Sequence, residues 1–242
     1  MALCCPGPEE AFDVEAFLEG NATVYLRGKG STLGAVAPLL TAFAQEVFDT
    51  AERLAVGRPA RRLDPPLLGL LDEAPSIAPV PTLPALVADG RGKGIVMVSA
   101  MQSFSQGVAR WGAQGAETMA NATTITAVFG GLTSATDLGE LERLCGTHRV
   151  RRESQHRGGA GRDARSTTVS FDHEPVLRAA DIRTLGDGVA LVLWGRLPPV
   201  LAAQPLLSED RDWKGIRKEE AKLRRANDDA RSGGAPVGEE VA

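Results

Sequence analysis

Short apolar runs alternate along the chain with longer stretches in which apolar residues recur every three or four positions. The short runs, rich in leucine and β-branched residues, predict strands at residues 21–26, 67–71, 95–101, 123–129, 167–171 and 188–195. The helical spacing predicts helices at residues 12–18, 38–54, 82–88, 103–120, 134–145 and 175–185. Strands that alternate with helices in this way indicate an α/β fold with a mainly parallel sheet.

Polar side chains follow two of these runs at the point where the strand should end. The run Leu67–Leu71 is typical of a strand buried on both faces of a parallel sheet, and Asp72 and Glu73 come directly after it. Gln102 follows the next run, so it should reach the same edge, where open α/β sheets place their chemistry. One carboxylate can hold Mg²⁺, directly or through water, while the other orients or deprotonates an attacking water. Taken alone, the two acids fit the capping of a turn better.

The connecting segments are rich in glycine and proline. Arg27–Thr32 (RGKGST) does not fit the phosphate loop G-x-x-x-x-G-K-[ST], because Gly30 separates Lys29 from Ser31, and a glycine-rich turn is predicted instead. The prolines of residues 75–81 predict an extended loop, and residues 89–94 (DGRGKG) predict a flexible basic turn.

Composition narrows the class of protein. The 242 residues are 43% hydrophobic and 24% charged, as in a soluble globular protein, and the net charge of −4 gives no general affinity for polyanions. Cys4, Cys5 and Cys145 form no disulfide framework, so a reducing cytoplasm is expected. No apolar run reaches membrane-spanning length, and the histidines lack metal-ligand spacing.

One segment departs from the acidic mean. Residues 147–166 combine many arginines with a glycine cluster, which predicts a mobile basic loop. This loop is either simply solvated or contacts a DNA backbone through Arg149, Arg151, Arg152 and Arg157.

The two ends of the chain should be the least ordered parts. Residues 1–11 lack a pattern and predict a disordered N-terminus. Residues 208–242 form a charged tail that is partly helical, near 212–225, or disordered. The part between them, residues 12–207, is expected to be one domain.

At this point the chain resembles a known family. Residues 70–106 (LLDEAPSIAPVPTLPALVADGRGKGIVMVSAMQSFSQ), followed by NATTITAVFGGL at 121–132, are similar to the C-terminal part of the motor domain of TraG/TraD-type conjugative coupling proteins. This stretch is the TraM recognition region of these proteins, which are FtsK/HerA-like ATPases of the RecA fold. The resemblance covers roughly residues 12–201 and implies a partial P-loop NTPase, a RecA-like three-layer sandwich with a mainly parallel sheet.

The resemblance implies roles for individual residues. Asp72 and Glu73 match the Walker B acids, with Asp72 supporting Mg-ATP and Glu73 activating water. Gln102 matches the glutamine that senses the γ-phosphate, and Arg91 matches the arginine that reaches the nucleotide of a neighbouring subunit. As alternatives, Gln102 caps a helix and Arg91 belongs to a solvated turn.

The implied activity is that of a DNA-translocating ATPase for conjugation and type IV secretion. Its partners would be DNA, relaxosome or accessory proteins and secretion components, in a hexameric ring anchored in the inner membrane. The chain shows neither the phosphate loop nor the membrane spans of the family, so we expect a cytoplasmic chain that binds Mg-ATP tightly only within a complete motor. The alternatives are a nonenzymatic module that binds relaxosome proteins, or a fragment of another FtsK/HerA-like DNA pump.

Overall fold

The computed structural model describes residues 11–26, 33–157 and 165–232. The helices within these ranges are α1 Val14–Glu19, α2 Leu33–Gly57, α3 Ala74–Ile77, α4 Leu83–Lys93, α5 Phe104–Ala122, α6 Ala135–Cys145, α7 Ala179–Arg183 and α8 Trp213–Ser232. The strands are β1 Leu67–Leu71, β2 Ile95–Ser99, β3 Ile125–Phe129, β4 Thr147–Arg157, β5 Arg165–Pro175, β6 Val189–Trp194 and β7 Val200–Ala203. A 3₁₀ turn, Leu207–Glu209, leads into α8.

The first packing unit is a parallel pair of strands covered by helices. β1 and β2 pair in register, with Leu67 opposite Ile95 and Leu71 opposite Ser99. Helices α2, α4 and α5 pack on one face of the pair, and the buried residues of this core include Phe48, Ala51, Val80, Leu83, Leu86, Ile95 and Met119. Gly69 permits the close packing, because a Cβ there would lie 2.8 Å from Met97 Sδ.

The opposite face of the pair is open. Leu68 and Leu70 on β1 are 56% and 67% exposed, and Val96 and Val98 beside them are also exposed. The prediction that β1 is buried on both faces is therefore wrong for the part of the chain that the structure describes. The physical reason is that the described helices of this unit all pack on the other face.

The second packing unit contains the third predicted strand. β3 pairs antiparallel with β6, and β7 extends the same sheet on the far side of β6. The parallel sheet is thus present but small, with two strands among the described residues. Helices α6 and α7 cover this second sheet around a core of Val128, Leu138, Cys145, Ile182 and Leu191. The Asp137 carboxylate joins the two units by accepting the Phe104 N–H at 3.1 Å.

The segment at residues 147–166, predicted to be a mobile basic loop, consists of paired strands where the structure describes it. Residues 147–157 and 165–175 form the antiparallel hairpin β4–β5, and residues 158–164 lie outside the described residues. Cross-strand pairs hold it together: Arg149 stacks on Phe171 at 3.7 Å, and Arg152 forms ion pairs with Asp172 and Glu174. The prediction failed because charged side chains lie on both faces of the hairpin, so the sequence lacks the alternation of apolar and polar residues that indicates a strand.

Other local predictions also change. Residues 21–26 form no strand, although they are rich in β-formers. The 75–81 loop begins with the helical turn α3, and α4 continues through the predicted basic turn to Lys93. Gly94 ends α4 in the left-handed conformation, with its N–H bonded to the Arg91 and Gly90 carbonyls. The glycine-rich turn at 27–32 and the N-terminal residues 1–10 lie outside the described residues.

Toward the C-terminus the helices differ in length from the prediction. Helix α7 covers Ala179–Arg183, less than the predicted 175–185, and α8 runs from Trp213 to Ser232, beyond the predicted 212–225. The remaining predicted strands and helices are present, with their ends shifted by a few residues.

Candidate active site

The two acids lie at the carboxyl edge of the parallel pair, beside the residues that follow β2. The Ala100 N–H donates to the Leu71 carbonyl at 2.9 Å, and the Ala74 N–H donates to the Ala100 carbonyl at 3.1 Å. These bonds continue the strand pairing past the ends of β1 and β2. They hold Asp72 and Glu73 next to the segment that contains Gln102, as the sequence predicts.

Glu73 stands in an unusual backbone conformation. Its φ of 48° and ψ of 45° are left-handed, which disfavours any residue with a Cβ by about 1–2 kcal/mol. Its carbonyl accepts the Ser76 and Ile77 N–H groups that begin α3, but its side chain makes no capping bond to that helix. The Glu73 carboxylate therefore does not cap the turn that follows it, and it is available to another partner.

That partner is Gln102. The Gln102 Nε2 donates to Glu73 Oε1 at 2.6 Å. Gln102 does not cap α5, because Ser103 is the N-cap and its hydroxyl accepts the Gln106 N–H at 3.3 Å. The structure thus brings two predicted site residues, Glu73 and Gln102, into direct contact.

Asp72 lies at the same edge, adjacent in sequence to the Glu73–Gln102 pair and exposed to solvent. Within the described ranges, no cluster of three or more acidic, histidine or cysteine side chains could enclose a metal ion. Mg²⁺ in nucleotide sites keeps several waters and takes one or two carboxylates together with phosphate oxygens. An exposed carboxylate such as that of Asp72 is the type of ligand that such a shared site takes.

Arg91 does not join this site. It lies in the last turn of α4, which ends at the amino edge of the sheet, where the Leu67 N–H bonds the Gly94 carbonyl. The two edges are separated by the length of β2, five residues or about 17 Å. Arg91 is exposed and donates to Thr124 Oγ1 at 3.4 Å.

The arginines of the hairpin are separate from the site and differ from one another. Arg152 is held by two acids, and its hydrogen bond lowers the pKa of Glu174 below the usual value. Arg149 and Arg151 point to the other face, where Arg149 stacks on Phe171 and Arg151 pairs with Glu153 at 2.6 Å. Arg157 ends β4, and its side chain is outside what the structure describes.

Two residues of α5 that sequence reasoning missed also contact the site region. Gln106 Oε1 accepts the Gln102 N–H at 3.0 Å, and Arg110 Nε donates to the Pro75 carbonyl at 3.0 Å. Their spacing of four residues, which places both on one helical face toward the acidic segment, was the available signal.

The parallel strand pair and the helices packed on it have the fold of part of a RecA-like motor domain, and solved structures share this fold. The bacterial conjugative coupling protein TrwBdeltaN70, unbound, is 24% identical with a TM-score of 0.62 over 80% of this chain and 44% of that chain. TrwB with the GTP analogue GDPNP is 25% identical, with a TM-score of 0.57 over 80% of this chain and 43% of that chain. TrwB with ADP and Mg²⁺ is 24% identical, with a TM-score of 0.59 and the same coverage of 80% and 43%. The chain therefore spans less than half the length of these proteins.

A family model described as the TraM recognition site of TraD and TraG matches residues 66–187, just over half of the chain. The chain belongs to this family, and its fold is that of a portion of a conjugative coupling protein. The predicted fold class and family resemblance are thus confirmed. No curated protein sequence matches the chain. None of the helices within the described ranges is long and apolar enough to cross a membrane.

Proposed function

We propose that this chain supplies the water-activating and phosphate-sensing part of the ATP site of a DNA-translocating coupling protein. The observation that carries the proposal is the 2.6 Å contact between Gln102 and Glu73 at the carboxyl edge of the sheet. Membership of the TraD and TraG family makes ATP-driven DNA transfer the activity that such a site would serve.

In this mechanism each residue has a distinct task. Glu73 accepts a proton from the attacking water or orients it, while the amide of Gln102 can donate to a phosphate oxygen and accept from the same water. Asp72 would be the residue that holds Mg²⁺, an ion that would supply neutralising charge at the phosphates. Arg91, at the opposite edge, would serve the nucleotide of a neighbouring copy in a ring.

The open face of the sheet supports the view that the chain works as part of a larger motor. Leu68, Leu70, Val96 and Val98 form an exposed apolar face on a parallel pair, a type of sheet that is normally covered on both faces. We propose that the remainder of a complete three-layer motor covers this face and supplies the phosphate-binding loop. The chain alone would then bind Mg-ATP weakly and hydrolyse none, and would act on the cytoplasmic side of a membrane-anchored hexamer.

The test is DNA-stimulated ATPase activity of a motor in which this chain is joined, by fusion or in trans, to the part of a coupling protein that carries a phosphate-binding loop. Glu73→Gln should keep nucleotide binding and lower turnover about 10²–10⁴-fold, because it removes the base but keeps the shape. Glu117→Gln, the same change at an exposed position of α5, is the matched control and should retain activity. Wild-type turnover in Glu73→Gln would remove this site as the catalytic centre.

A second candidate function is a nonenzymatic module that binds a relaxosome protein, and the family description itself, a TraM recognition site, favours it. A binding measurement can distinguish the two functions. If recognition is independent of hydrolysis, the unaltered chain and the Glu73→Gln variant should bind a TraM-type accessory protein equally well, as measured by calorimetry. Loss of binding in Glu73→Gln would instead tie recognition to the ATP site.

A further inference from the structure

We propose that Gln106 is a positioning residue of the hydrolytic site, which sets the orientation of the Gln102 amide toward Glu73. The inference rests on the proposed function for its effect on hydrolysis. Its structural content, that one glutamine orients another, can be tested in this chain without any ATPase activity.

The argument begins with two hydrogen bonds between the same two residues. Gln106 Oε1 accepts the Gln102 backbone N–H at 3.0 Å, and Gln106 Nε2 donates to Gln102 Oε1 at 3.5 Å. Because a side-chain NH₂ group only donates, the atom of Gln102 that faces it is the oxygen. The nitrogen of Gln102 is then the atom that faces Glu73, and it donates to the carboxylate at 2.6 Å.

Gln106 is better anchored than the residue it orients. It belongs to the first turn of α5, where its own N–H is bound by the capping hydroxyl of Ser103, and its side chain is half-buried. Gln102 is exposed and lies before the helix begins, with no helical backbone to restrain it. Without Gln106, the amide of Gln102 is free to rotate or flip, and a flipped amide would place its oxygen against the Glu73 carboxylate.

Two substitutions separate the two bonds. Gln106→Leu removes both, so the Gln102 amide should lose its preferred orientation. Gln106→Glu keeps an acceptor for the Gln102 N–H but presents only acceptor oxygens to the side chain, which draws the Gln102 nitrogen away from Glu73. Gln114→Leu, an exposed position of the same helix outside this network, is the matched control.

The test uses NMR of the full chain and compares the side-chain NH₂ signals of Gln102 with and without the substitution Glu73→Ala. In the chain that keeps Gln106, and in the control variant Gln114→Leu, the substitution Glu73→Ala should shift these signals. With Gln106→Leu or Gln106→Glu, that Glu73-dependent shift should be lost. A full Glu73-dependent shift in the Gln106 variants overturns the proposal, and if the leucine variant fails to fold, the glutamate variant decides.

The completed motor gives a second readout. Gln106→Leu should lower kcat about tenfold with little change in KM, because it affects the orientation of Gln102 and not nucleotide binding. An unchanged kcat together with a lost NMR shift would overturn the role in hydrolysis. A motor without any ATPase activity would instead contradict the proposed function and leave the NMR result to decide the orientation.

Discussion

Replacing Glu73 by glycine should stabilise the folded chain relative to alanine while removing the proposed catalytic base. Glu73 has a φ of 48°, and among the described residues it shares a positive φ outside glycine with Arg61 alone. Strained backbone of this kind persists where the surrounding structure holds it, often at functional sites. A higher stability of the glycine variant would therefore show that any residue with a Cβ at position 73 carries backbone strain.

The magnitude follows from two opposing terms. Relief of the left-handed conformation favours glycine by about 1–2 kcal/mol, whereas the greater freedom of glycine in the unfolded chain costs about 0.4–1 kcal/mol. Both substitutions lose the exposed hydrogen bond to Gln102, so that loss cancels between them. Taking the middle of each range, the free energy of unfolding should be about 0.8 kcal/mol higher for Glu73→Gly than for Glu73→Ala.

Urea unfolding followed by circular dichroism measures this difference. With a typical denaturant slope of about 1–3 kcal/mol per molar, the midpoint should rise by about 0.2–1 M from the alanine to the glycine variant. The control is Ala88→Gly at an exposed position inside α4, where glycine should lower stability by about 0.5–1 kcal/mol. A glycine variant at position 73 that is less stable than alanine would refute the reasoning.

Three further outcomes are expected. Burial, and secondarily the charge of Glu142, raises the pKa of the Cys145 thiol, so iodoacetamide at pH 8 should modify it only after unfolding, as peptide mass mapping can show. The Arg152 hydrogen bond lowers the pKa of Glu174, so the stability that Glu174 gives the hairpin is present above about pH 4.5 and is lost as the pH falls below that value. NMR titrations of β4–β5 should show this pH dependence in the unaltered chain and not in Glu174→Gln. Leu70→Thr should reduce self-association in light scattering without lowering the unfolding midpoint, because Leu70 is 67% exposed; a clear loss of stability would contradict the open face.

The site was predictable because it depends on local rules. A short apolar run gives a strand, and two neighbouring parallel strands bring their carboxyl ends to one edge. Those two steps placed Glu73 and Gln102 together, and the structure agrees at 2.6 Å. Which atoms meet, and the role of Gln106, depended on side-chain geometry that sequence spacing does not contain.

The errors have tertiary causes. Gly90 and Gly92 suggested a turn, yet α4 continues through both, and a Cβ at Gly90 would lie 3.0 Å from the Ile95 carbonyl oxygen. That glycine serves the close contact between α4 and β2, not chain reversal. Likewise, β3 pairs with β6 far along the sequence, and no local pattern distinguishes that antiparallel partner from the parallel neighbour that was expected.

The separation of Arg91 from the acids has a consequence for how such a site can be completed. α4 runs back along β2, so a residue in its last turn reaches the amino edge, while Asp72 and Glu73 stay at the carboxyl edge. The five residues of β2 span about 17 Å, which is more than the reach of one arginine side chain folded over its own helix. Arg91 therefore does not reach the acids of its own copy, and its proposed target is the nucleotide of another copy. With that target, each copy would contribute its carboxyl edge to one site and its amino edge to another. The arrangement of α4 and β2 would then favour assembly of several copies.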